Sequence, residues 1–150
     1  MPTRISQKEL EDLGFFRAGS IRPDDAGRIC RAHIDPDVAG CIVYAHIVGD
    51  QPMKFGSTAP SLKARMRQNA STIRKIIELQ DGRSARDAKW HHAKWDEFKH
   101  QAPAVIRTGR SIEVWATLAH RESIGKCAEF EGILNDRYET IRHGWAMKRN

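Results

Sequence analysis

Apolar and polar positions change rhythm most clearly between residues 42 and 65. The run Ile42-Val43-Tyr44-Ala45-His46-Ile47-Val48 reads as a strand, and Gly49-Asp50-Gln51-Pro52 supplies turn chemistry. Met53-Lys54-Phe55 then reads as a second short strand ending at Gly56, so the stretch predicts a β-hairpin. Ser61 stands where a side chain can cap a helix. Beyond it, Leu62, Met66, Ile73, Ile76 and Ile77 recur at helical spacing and form one apolar stripe. Asn69-Ala70-Ser71-Thr72 is a weak helical stretch, leaving open one helix or two with a break. Ser111 to Leu118 is rich in β-branched and aromatic residues and predicts a third strand of the same sheet.

Around this centre the pattern is plainer. Ile5 to Leu13 predicts a short helix stopped by Gly14, with Phe15-Phe16 fastening it to the body. Gly19, Pro23-Asp24-Asp25 and Gly27 mark turns, and Arg28 to Ile34 alternates like a strand. Residues 1–39 thus read as a cap over one sheet edge, and 40–150 as the main unit of a single compact body. Ser84 to Gln101 predicts a helix on which Trp95 and Phe98 share a face with His91 and His92. Adjacent histidines on a helix diverge by about 100°, and no second histidine stands four residues beyond either of them, so a basic aromatic surface outweighs a metal site there. Ile124 to Ile141 predicts the last helix, with a stripe of Cys127, Phe130, Ile133, Leu134, Arg137, Tyr138 and Ile141. Glu131 sits beside that stripe, and Glu129 points nearer to solvent.

Composition narrows the class of partner. A chain of 150 residues suits one domain with a core of its own. Twenty-five Lys and Arg against 19 Asp and Glu give a net charge of +6, which suits an anionic partner. Nucleic acid ranks ahead of a membrane, because no basic amphipathic anchor is present and no apolar run reaches the roughly 18 residues that span a bilayer. The polar N-terminus and three scattered cysteines, Cys30, Cys41 and Cys127, predict a cytoplasmic protein with reduced thiols.

The hairpin carries the candidate chemistry. The strand pleat lets Tyr44 look across towards Lys54, and Arg65 lies one turn into the next helix, so the three can converge on one pocket. At these residues the sequence resembles the GIY-YIG nuclease family. Ile42-Val43-Tyr44 corresponds to the first motif and Lys54-Phe55-Gly56 to the second, and Ser57, Thr58 and Arg65 fit the family pattern after that glycine. Glu131-Gly132-Ile133-Leu134 and Tyr138 match the late helix of the family, where a glutamate binds metal. The chain departs from the pattern at Ile42 for glycine, at Lys54 for the second tyrosine and at Asn69 for a frequent histidine. Lysine in the second motif is known among the family's restriction enzymes. A closing asparagine is absent after Gly144-Trp145, with Asn135 or Asn150 as substitutes.

The resemblance implies a small α/β fold, a three-stranded antiparallel sheet flanked by helices, and a metal-dependent endonuclease. Tyr44 would be the base that activates water, Glu131 would hold one Mg²⁺ or Mn²⁺, and Lys54 and Arg65 would offset developing phosphate charge. Arg67, Arg74, Lys75, Arg107 and Arg110 are further candidates for contacts to nucleic acid, DNA first. The departures at Ile42, Lys54 and Asn69, with the missing asparagine, also motivate a second expectation, a binding module that keeps the fold without cleavage. An interaction domain in which Tyr44 is simply core is a third.

Overall fold

In the computed structural model, which describes residues 4–24, 30–35, 38, 40–59, 61–80 and 96–146, ten elements succeed one another. They are α1 (Gln7–Asp12), β1 (Phe16–Pro23), β2 (Cys30–Ile34), β3 (Ile42–Val48), β4 (Gln51–Thr58), α2 (Leu62–Gln80), α3 (Asp96–Arg107), β5 (Ile112–Thr117), α4 (Ile124–Arg137) and α5 (Thr140–His143). The strands form one antiparallel sheet in the order β2-β1-β5-β3-β4. The architecture is the expected helix-flanked α/β type, but with five strands where three were predicted. The extra two come from the leading segment, which joins the sheet through β1 pairing with β5 and does not merely cover an edge. The β1 strand escaped the sequence reading because Gly19 interrupts its alternation, and the register indeed slips between Arg17 and Gly19.

Both faces of the sheet are covered, which is why β3 is buried along its whole length. One face packs against α2 and α3 through Ile42, Tyr44, Leu62, Met66, Ile73 and Ile106. The other packs against α1 and α4 through Val43, Ala45, Phe55, Trp115 and Leu134. The turn of the central hairpin is tighter than Gly49-Asp50-Gln51-Pro52 suggests, for Val48 already pairs with Gln51. Pro52 is tolerated inside β4 because that strand lies at the sheet edge and a register shift falls beside it.

Helix α2 is continuous through Asn69–Thr72, with Ser61 Oγ accepting from the Ala64 N–H at 3.1 Å. Helix α3 runs on through Pro103 to Arg107; the part of the expected helix at 84–95, with His91, His92 and Trp95, lies outside the described residues. In α4 the buried stripe is rotated from the expected one. Cys127, Glu131, Leu134 and Asn135 face inward, whereas Ile133 is 48 % exposed and Arg137 lies on the surface. Glu131 and Asn135 displace apolar residues because both hydrogen-bond to the open edge of β4. Among the described residues, no helix is long and apolar enough to cross a membrane, and all three cysteines are free.

Candidate active site

The register of the central hairpin sets Tyr44 opposite Gly56 and His46 opposite Lys54, with all four on the α2 face. Lys54 is therefore the diagonal neighbour of Tyr44, and its Nζ lies 5.9 Å from the centre of the Tyr44 ring. The phenol end extends directly over Gly56, since a Cβ there would lie 2.6 Å from both Cζ and the hydroxyl oxygen. Glycine is the residue that lets the tyrosine hydroxyl reach the outermost strand.

From the opposite face, α4 brings Glu131 to the very next position of that strand. Ser57 Oγ donates to Glu131 Oε2 at 2.6 Å, and the glutamate is only 8 % exposed. Four residues along, Asn135 fastens the helix to the strand. The Phe55 N–H donates to Asn135 Oδ1 at 3.0 Å, and Asn135 Nδ2 donates to the Phe55 carbonyl at 2.9 Å. The Thr140 hydroxyl also donates to Asn135 Oδ1. A side-chain amide thus does what a sixth strand would do, closing the ladder at Phe55. Asn135 is committed to this pairing and is not the spare asparagine suggested by the sequence. Asn150 lies outside the described residues.

His46 was not singled out from the sequence, although its place two residues beyond Tyr44 puts it on the same face. It is fully buried, 5.3 Å from Tyr44 between ring centres, and accepts from the Trp145 indole N–H on Nδ1 at 3.0 Å. Burial first, and the nearby Lys54 charge second, push its pKa down to about 3. The imidazole is accordingly neutral, and its Nε2 lies 3.3 Å from Asn69 Nδ2. Trp145 reaches this site because the chain after α5 passes tightly over the edge strand. Its backbone N–H donates to the Met53 carbonyl at 2.7 Å, and a Cβ at Gly144 would lie 2.1 Å from that oxygen.

The other expected residues divide by flank. Arg65 is exposed one helical turn before Asn69, on the α2 flank that faces β3. Arg67 and Arg74 lie on the opposite flank, beside Arg31 of β2, and Lys75 is half-buried. Arg107 donates to the Ile77 carbonyl at 3.4 Å, and Arg110 lies against the hairpin turn, 3.2 Å from where a Gly49 Cβ would be. Thr58 is buried on the Tyr44 side opposite Ile42, and its hydroxyl has no hydrogen-bond partner among the described residues. Tyr138 turns away from the site, donating to Glu9 at 3.2 Å and packing on Phe55. Glu129, unlike Glu131, is exposed. Among the described residues no three His, Cys, Asp or Glu side chains gather into a metal cage.

No family model matches the sequence, and no curated protein matches it. Among solved structures, the chain is similar to restriction endonuclease HPY188I in complex with product DNA, at 12 % identity and a TM-score of 0.51. That match covers 95 % of this chain and 84 % of the other. It is also similar to an alanine variant of bacteriophage T4 EndoII, at 14 % identity and a TM-score of 0.57, covering 89 % and 94 % of the two chains. The fold is therefore one that endonucleases use. It is carried here by a sequence that shares about one residue in eight with them.

Proposed function

We propose that the protein is an endonuclease that hydrolyses phosphodiester bonds in DNA, with Tyr44 as general base, one divalent cation held by Glu131, and Lys54 and Arg65 facing the phosphate. The observation that carries this reading is the meeting at β4. The Tyr44 hydroxyl lies over Gly56 and the Glu131 carboxylate is bound to Ser57, so two consecutive positions of an edge strand present a base and an anion together. In-line hydrolysis needs these groups on either side of one phosphate.

The donor set suits Mg²⁺ or Mn²⁺. Such ions take one or two carboxylates and complete their shell with water and substrate phosphate, so a single buried carboxylate oriented by a serine hydroxyl is sufficient protein ligation. A divalent cation bound there would neutralise phosphate charge and favour departure of the leaving oxygen. The chain's own residues do the rest. Tyr44 accepts the proton of the attacking water. Lys54, half-buried beside the ring, and Arg65, exposed at the rim, stabilise negative charge as it grows on the phosphate oxygens. The guanidinium suits that task because its planar fork holds two oxygens. His46, uncharged, adds no competing cation; it and Trp145 fix the floor beneath Tyr44.

The test is the conversion of supercoiled plasmid to nicked circles. Purified protein should nick with Mg²⁺ and lose the activity when the metal is chelated, regaining it on readdition. Salt-sensitive DNA binding without any nicking, at any divalent metal, would leave only the binding-module reading standing.

A further inference from the structure

The second edge of the sheet is β2, which no other strand pairs among the described residues, and its chemistry is unlike that of β4. Arg31 of β2 stands directly across from Arg22 of β1, and His33 stands across from Ser20. Like charges directly opposite each other in a sheet oppose folding, and the one carboxylate in their cleft, Asp24, is outnumbered by the two guanidinium groups. Arg22 is held in place by Ser20 Oγ at 2.9 Å. Together with Asp24, the residues Arg22, Arg31 and His33 line a cleft of about 330 Å³ on one side of the strand. On the other side, Arg31 joins Arg67 and Arg74 of α2 around a second cleft of about 330 Å³. Four guanidinium groups therefore surround one five-residue strand. Among the described residues none of the four forms an ion pair with a carboxylate.

We propose that this basic β2 edge is a second phosphate-binding surface, which grips the backbone of duplex DNA away from the point of cleavage; the proposal rests on the endonuclease reading. Charge complementarity selects the occupant. Guanidinium forks spread along an exposed strand and helix flank match a row of phosphates, and the chain as a whole carries +6. The arrangement also gives a length. Edge strands β2 and β4 are separated by four strand spacings, about 19 Å at the usual spacing of neighbouring strands. At about 3.4 Å of duplex axis per base pair, this edge meets the DNA on the order of six base pairs from the scissile phosphate.

The decisive experiment uses the full chain, Arg22→Ala with Arg31→Ala, and duplexes whose arm on one side of a nickable site is varied. For a long-armed duplex, the double variant should bind at least tenfold more weakly. Its plot of log affinity against log salt should be shallower by about 1.8, the loss of two phosphate contacts. On duplexes with both arms shorter than about six base pairs, wild type and variant should bind alike. Arg22→Lys with Arg31→Lys should recover most of the slope, and thermal melting of the alanine variant should be no lower than wild type, since the like-charge pair is gone. An unchanged salt slope in a variant that folds overturns the proposal while leaving the cleavage site intact. So does a loss that is equal for polyglutamate and DNA and independent of arm length, which would mark an unspecific polyanion patch. Failure of the wild type to bind DNA at all would instead sink the endonuclease reading, and this inference with it.

Discussion

A methyl group at position 56 would collide with the phenol end of Tyr44, at 2.6 Å from both Cζ and the hydroxyl. The neighbouring ring is packed against His46, so the phenol has to leave its place over β4 to make room. Gly56→Ala should therefore reduce nicking by at least tenfold while costing only about 1–3 kcal/mol of stability, as overpacking does. Chemical denaturation alongside the plasmid assay separates the two effects; a variant that nicks like wild type would mean that the hydroxyl is not needed there. The residue next in importance is one that does no chemistry. The folded-state pKa of His46 is lowered to about 3 from a usual value near 6.5, so between those limits the unfolded chain binds the extra proton. Stability from this burial is present above pH 6.5 and is lost as pH falls towards 3, by roughly 1 kcal/mol for each pH unit. Urea melts at pH 7 and pH 5 should differ in that direction, and His46→Gln should flatten the difference. Equal slopes in the two proteins would contradict the assignment.

At the scale of elements, the legible parts of the sequence were those whose burial obeys simple periodicity. The hairpin, the Leu62–Ile77 stripe and the Ile112–Thr117 strand emerged from local pattern because apolar residues alone pack them. Helix α4 was found but misoriented, since two of its inward residues are polar. Asn135 and Glu131 are buried through bonds to Phe55 and Ser57, 80 and 74 residues away, and no local pattern records such partners. The β1 strand was missed for a related reason, because its pairing with β5 spans the chain and Gly19 breaks its rhythm. Tyr44, Gly56 and Glu131 were legible as a motif, whereas the support given by His46 and Trp145 was not. Asn135→Ala tests how far the amide holds α4 to the strand. It removes a donor and an acceptor together and leaves Phe55 without its partners, at a cost of about 2–3 kcal/mol. A denaturant midpoint unchanged from wild type would show that the edge is closed by something else.

Over the whole molecule, the work is divided, on the proposed reading, between the two edges of one sheet, cleavage at β4 and grip on a long anionic substrate at β2. At β4 the chain gathers a phenol and a carboxylate from the two faces, with the Lys54 ammonium 5.9 Å from the phenol ring centre; at β2 it gathers four arginines with His33 and a single carboxylate, Asp24. Helix α2 joins them, with Arg65 on the flank towards β3 and Arg67 and Arg74 on the flank towards β2. The five-strand width sets the distance between the two, and a three-stranded sheet would have left no room for the second. That β4 is a cleavage site is the claim on which the rest depends, and Glu131→Gln tests it with the smallest change in shape. The measurement is single-turnover nicking of supercoiled plasmid in Mg²⁺, with DNA affinity and thermal melting taken on the same samples. The amide should keep a hydrogen bond to Ser57, so folding and binding should remain near wild type while the rate falls by 10²-fold or more, the scale of losing one stabilising group in the transition state. Nicking by Glu131→Gln at the wild-type rate, in a protein that cleaves in Mg²⁺, would contradict the account.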